Sequence, residues 1–178
     1  EAVSNLMPVW LGERTGMINS KDLASFDPSN NRWMVKDSLN PWYVVHGSTV
    51  KGEASKMVFS KTNKPNTAVS NTTYKIEIKP NAVYYLPFTI AGSAKSKEQA
   101  MSSYNQIKNA AASLLAIKKK RVLNLNQYST LTLNDNAIAT SFEWLKYNSD
   151  WLTQDVEGIG KGVVAGLPDY PWWFGGDM

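Results

Sequence analysis

Ser96, followed three residues later by Gln99, opens the one stretch of this chain in which both ends predict a helix. The hydroxyl and the amide side chain of such a capping box satisfy backbone donors that the first helical turn leaves unpaired. Behind it Ala100, Tyr104, Ile107, Ala111 and Leu114 recur at three- and four-residue intervals, and Met101 and Leu115 widen the stripe into a packing face. Lys118, Lys119, Lys120 and Arg121 then place positive charge where the negative end of a helix dipole is expected. The spacing predicts a helix over 97–120, and the rest of the fold must be built against its apolar side.

Upstream the pattern is that of strands. Pro8, Gly12, Gly16, the pair Asp27-Pro28 and the Ser29-Asn30-Asn31 cluster break residues 1–31 into a loop-rich segment. From 32 to 90 the chain is strand-rich. Trp33–Lys36 and Trp42–His46 flank the turn signal Asn40-Pro41, and further strands are expected at Lys56–Ser60, Thr73–Lys79 and Val83–Ile90. The clearest alternation sets Tyr74, Ile76 and Ile78 against Lys75, Glu77 and Lys79, up to the break at Pro80-Asn81. Pro87 argues for an edge position or a bulge in the last of these runs.

Beyond Arg121 the signals weaken. Leu123 and Leu125, then Leu131 and Leu133, alternate as strands would. Ala137–Tyr147 fits either a helix, capped by Asn134 or Asp135, or a strand; a helix is favoured. Residues 155–178, with Gly158, Gly160, Gly162, Gly166, Gly175 and Gly176, read as an irregular tail. The expected class is therefore α+β, with an antiparallel sheet in the first half, one long helix and a mixed carboxyl-terminal part. At 178 residues a single domain with a real core is expected, and the absence of cysteine removes disulfides, thiolate metal sites and a thiol nucleophile together. No apolar run approaches the length of a membrane span.

Charge divides the chain. Between Lys51 and Arg121 thirteen basic residues face three acids, a local net charge of +10, whereas 122–178 sums to −5. Such polarity suits an external polyanion or contacts between the basic part of one copy and the acidic part of another. Lys75 and Lys79 on one predicted strand face, with Lys118, Lys119, Lys120 and Arg121, are the candidate polyanion residues. Because lysine outnumbers arginine, nucleic-acid contact is expected at the backbone rather than at base edges.

Tyr170, Trp172, Trp173 and Phe174 form a second candidate site, since large aromatics near a terminus must dock somewhere. They can close over their own domain, anchor in a neighbouring copy, or stack on a carbohydrate.

Catalytic patterns are rejected in turn. His46 is the sole histidine and reads as structural, and no Gly-x-Ser-x-Gly elbow exists. Gly160-Lys161-Gly162-Val163-Val164-Ala165 matches a dinucleotide pattern, but too few residues follow it to complete the unit. Asp150, Asp155 and Glu157 do not fit a calcium loop, and the Asn71 glycosylation triplet is expected by chance. Neither cofactor nor metal is expected. The sequence is read as a non-enzymatic, self-assembling subunit of a virion, phage tail or extracellular filament. A monomeric secreted or periplasmic module for a polyanion or glycan, and a coat-like protein touching nucleic acid, are the alternatives.

Overall fold

A computed structural model describes residues 1–7, 18–55, 66–167 and 170–173. It has the mixed α+β class expected, with antiparallel sheets in the first half followed by helices. The chain forms two compact units, Glu1–Ala111 and Ala112–Met178. The expected strand at Lys56–Ser60 lies outside the described residues.

The first unit is built on a four-stranded antiparallel sheet in the order β2 (Asp22–Asp27), β3 (Arg32–Asp37), β4 (Tyr43–Ser48), β8 (Phe88–Ser93). The tight turn between β2 and β3 is chemically specified. Asp27 accepts hydrogen bonds from the Asn30 backbone and side chain and an ion pair from Arg32, while Asn31 takes positive φ, which asparagine tolerates. Asn31 also donates to the carbonyls of Ser48 and Val50 and accepts from the Gly52 N–H, tying this turn to the end of β4. The approach is so close that a Cβ on Gly47 would sit 2.6 Å from the Asn31 carbonyl oxygen, so only glycine fits there.

Alternation gives the sheet two different faces. Met34, Val45 and Ala91 stand in register across β3, β4 and β8, and the first turns of helix α1 (Lys97–Tyr128) cover them with Ala100, Met101 and Tyr104. On the opposite face lie Val35, Trp33 and His46, which meet two short ladders, β1 (Ala2–Ser4) with β6 (Ala68–Ser70) and β5 (Glu53–Ala54) with β7 (Thr72–Thr73). The Trp33 indole donates to Thr72 Oγ1 at 2.9 Å, and His46 Nε2 meets Ser70 Oγ at 2.9 Å. The 1–31 segment is thus more ordered than its turn residues suggested, since it supplies β1 and β2.

The strand expected over Thr73–Lys79 does not form beyond Thr73. Tyr74 is half-buried and residues 75–87 make an exposed excursion outside every ladder, turning at Pro80-Asn81, where the Ala82 N–H bonds the Lys79 carbonyl and Asn81 takes positive φ. Alternation prepares a segment for a sheet but cannot supply the partner strand, and among the described residues none lies beside it. After Pro87, β8 begins at once and occupies the sheet edge.

The second unit contains the rest of α1, helix α2 (Asn136–Leu152) and a hairpin of β9 (Thr153–Val156) with β10 (Gly160–Val163). Residues 137–147 are helical, as favoured. The cap is Asp135, whose carboxylate accepts from the Ala137 and Ile138 N–H groups, an arrangement worth about 1 kcal/mol. The tail from 155 is less irregular than expected, because the end of β9 and all of β10 lie within it.

Helix α1 runs eight residues past the expected end at 120. No glycine or proline interrupts the chain between Arg121 and Gly158, so Leu123 and Leu125 continue the helix instead of forming a strand, and Leu131 and Leu133 fall in the connecting loop. Lys118–Arg121 consequently lie inside α1, and its last turn holds no base of its own.

Candidate assembly surface

Between Asp135 and the end of the hairpin, the second unit is polar where helices normally meet through apolar side chains. Arg121 of α1 holds Asp150 of α2 through Nε and a terminal nitrogen at 3.0 and 2.5 Å, and Lys118 Nζ stands 3.9 Å from the same carboxylate. Tyr147 donates to Asn126 Oδ1 at 2.7 Å. Lys146 donates to the Ser129 carbonyl at 2.8 Å and the Asn126 carbonyl at 3.4 Å, and pairs with Glu143 at 2.9 Å. The compensation for the α1 dipole therefore comes from α2, not from Lys118–Arg121.

The apolar side chains point elsewhere. All eleven residues from Ala111 to Arg121 are exposed, Leu114, Leu115 and Ile117 among them. No residue of α2 is buried; Trp144 is 53% exposed, Leu145 62%. Trp144 makes edge-on contacts with Tyr147 at 5.9 Å and Trp151 at 6.3 Å, which holds an aromatic ridge along the helix while leaving Trp151 exposed. A helix carrying an apolar stripe gains its stability by burying it, and among the described residues these faces stay uncovered.

The first unit carries an unfinished region as well. Strand β8 is an open sheet edge, with Phe88 and Ile90 exposed. The excursion before it exposes Ile78, Val83 and Tyr85, the last at 84%. Exposed edges with apolar side chains are templates for pairing with another chain.

The candidate polyanion residues divide between the units. Lys75 and Lys79 are exposed on the excursion, not on a strand face, and Lys118, Lys119, Lys120 and Arg121 lie on α1 in the second unit. Lys118 and Arg121 are engaged with Asp150, so part of the basic-to-acidic attraction read from the sequence is satisfied within one chain.

Of the aromatic tail, Phe174 lies outside the described residues. Trp173 rests on the hairpin, its ring 3.1 to 3.3 Å from where a Gly162 Cβ would be, which explains a glycine at that place. The Ala165 N–H donates to the Trp172 carbonyl, and Gly166 and Tyr170 exchange backbone bonds. The tail is thus folded back within its own unit, leaving Tyr170 and Trp172 exposed.

An open cavity of about 790 Å³ in the second unit is lined by Arg121, Leu125, Phe142, Leu145, Asp150 and Lys161 among others. Its mixture of paired charge and partly covered apolar groups is that of an incompletely packed seam. Among the described residues no three histidine or acidic groups come together as a cation site. His46 is buried, and burial, followed by the nearby terminal amine, holds its pKa below the usual value. No helix among the described residues is long and apolar enough to cross a membrane. The uncovered helix faces were missed in the sequence, where the same stripe was read as core. Compared with protein-family models, curated proteins and solved structures, the chain matches none.

Proposed function

We propose that this chain is a non-enzymatic structural subunit that assembles with copies of itself, in a virus or phage particle, a phage tail or an extracellular filament. The observation that carries the reading is the set of exposed apolar side chains on the two helices, Leu114, Leu115, Ile117, Trp144 and Leu145, beside a seam held largely by polar contacts. A second copy is the occupant that fits, because one chain carries both an uncovered apolar helix surface and an uncovered sheet edge with its apolar excursion. Two copies can cover these surfaces reciprocally, and further copies can extend the contacts. The contribution of Tyr170 and Trp172 is then to the rim of such a contact, with Trp173 holding the tail in place.

Sedimentation velocity over a range of protein concentrations, with negative-stain imaging at low and high salt, tests the proposal. Closed shells, filaments or discrete oligomers are the expected result. A monodisperse monomer under every condition would overturn it.

A nucleic-acid or other polyanion contact is the second reading, supported by Lys75, Lys79, Lys119 and Lys120, which make no ion pair among the described residues. Backbone-directed binding by these lysines predicts affinity for single-stranded RNA or heparin that falls steeply as salt is raised. Replacing all four by glutamine should flatten that slope, and a wild-type affinity indifferent to salt would remove the reading.

A further inference from the structure

Two acids face each other on the ladder-covered face of the main sheet. Asp22 and Asp37 are directly opposed in the β2–β3 register and are 3% and 1% exposed. Their backbone N–H groups bond away from each other, Asp22 to the Asn66 carbonyl and Asp37 to the Trp42 carbonyl. They are thus a pair that exchanges no ladder bonds, the kind in which opposed side chains come closest.

Their oxygens are not equally supplied. Asp37 Oδ1 accepts from the Ser20 hydroxyl, the Leu39 N–H at 3.0 Å, the Asn40 N–H at 2.7 Å and the Asn40 side-chain amide at 2.9 Å. Among the described residues, Asp22 Oδ2 accepts only from the Leu6 N–H, at 2.9 Å. One oxygen of each, Asp22 Oδ1 and Asp37 Oδ2, is buried without a hydrogen-bond partner among the described residues.

Among the described residues, the charges around the pair do not balance two carboxylates. Lys36 follows the strand alternation to the opposite face, where its ammonium lies 5.9 Å from the Tyr43 ring, and Lys21 is exposed. His46 stands opposite Trp33, beyond Val35 on the same face, and is already bonded to Ser70. The adjoining β1 and β6 carry no charged side chain. Two ionised carboxylates in this setting would leave a net buried charge, which is strongly unfavourable.

We propose that Asp22 and Asp37 share one proton, carried by Asp22 Oδ1 and donated to Asp37 Oδ2, so that the pair is a pH-responsive clasp between β2 and β3, with the other Asp22 oxygen holding the Leu6 N–H. One O–H satisfies both orphaned oxygens, whereas a divalent cation would want six or more oxygen ligands and finds two free ones. The four donors on Asp37 make it the member that stays ionised. Consistently, burial above all, with the adjacent Asp37 charge, raises the Asp22 pKa against the opposing Leu6 hydrogen bond. For Asp37, burial raises the pKa but the donors from Ser20, Asn40 and Leu39 outweigh it and the net shift is downward.

The sign of the response follows. An acid whose pKa is raised on folding contributes stability that is complete below its ordinary pKa and is lost as pH rises through the raised one. Unfolding of the wild type, compared with Asp22→Asn, should therefore become easier as pH rises above the ordinary aspartate range, by up to about tenfold in the unfolding constant per pH unit until the raised Asp22 pKa is passed. In Asp22→Asn the amide donates permanently and that response disappears. Matching pH profiles for the two proteins would overturn the proposal. Carboxyl carbon NMR of the wild type needs no variant, and it should find Asp22 titrating above, and Asp37 below, the usual aspartate range. An Asp22 midpoint in or under that range would also overturn it, as would calcium or manganese stabilising the wild type but not Asp22→Asn.

Discussion

Replacing Leu114 and Ile117 together by glutamate should abolish self-association while leaving the isolated chain as helical as before. Both positions lie in the stretch of α1 where every residue is exposed, so neither change empties a buried site within one chain. Glutamate is a good helix former, and at 114 and 117 it stands four residues before Lys118 and Arg121, in the favourable orientation for ion pairs along a helix. Far-ultraviolet circular dichroism should be unchanged, and chain stability should move by no more than about 0.5 kcal/mol, as at ordinary surface positions. In an assembled contact the same carboxylates would be desolvated among apolar groups, costing on the order of 2–4 kcal/mol per position where the interface is tightly packed. Sedimentation velocity should show the loss of oligomers at concentrations that assemble the wild type. Undiminished association would place the contact elsewhere on the molecule.

Tyr104→Ala should be the most damaging single substitution in the first unit. Tyr104 is 1% exposed and closes the helix-facing side of the sheet against Val45, Ala91 and Ala100. Removing a buried aromatic ring costs about 3–5 kcal/mol, because the surrounding groups cannot collapse fully into the space left. For a unit of this size that corresponds to a fall in melting temperature of roughly 12–40 °C. Tyr104→Phe should behave in the opposite way. The hydroxyl is buried with no hydrogen-bond partner among the described residues, so deleting it relieves an unsatisfied polar group and leaves stability unchanged or slightly higher. Thermal melts of the two variants followed by circular dichroism check both statements, and an equal loss in both would mean that the hydroxyl has a bonded role.

The parts of this fold that are legible in the sequence are those determined locally. Ser96 Oγ accepts from the Gln99 N–H as a cap should, and the turns at Asn30-Asn31 and Pro80-Asn81 lie where their residues require them. The end of α1 is not local. Lys118–Arg121 has the composition of a helix terminus, yet nothing after it breaks the backbone, and the base that serves the true terminus comes from another helix. The alternation of Ile76 and Ile78 is real but finds no strand to pair with. The helix stripe of Ile107, Leu114 and Leu115 is legible as an apolar face, but periodicity identifies only the face and not what covers it, and these three side chains are exposed. For the same reason Trp172 and Trp173 could be flagged as needing a place, while the seat of Trp173 on Gly162 depends on a hairpin that glycine content alone had suggested was irregular. The buried Asp22–Asp37 pair carries no motif; it emerges only when the strand register sets two ordinary acids opposite one another.

Lys146 gives the order of synthesis a physical meaning for this chain. It lies seventeen positions after Ser129, to whose carbonyl it donates just past the end of α1. During translation the last turn of α1 therefore leaves the ribosome before the group that finishes it exists. Until α2 emerges and folds back, that turn is free to fray, and the length of the first helix is decided by the second.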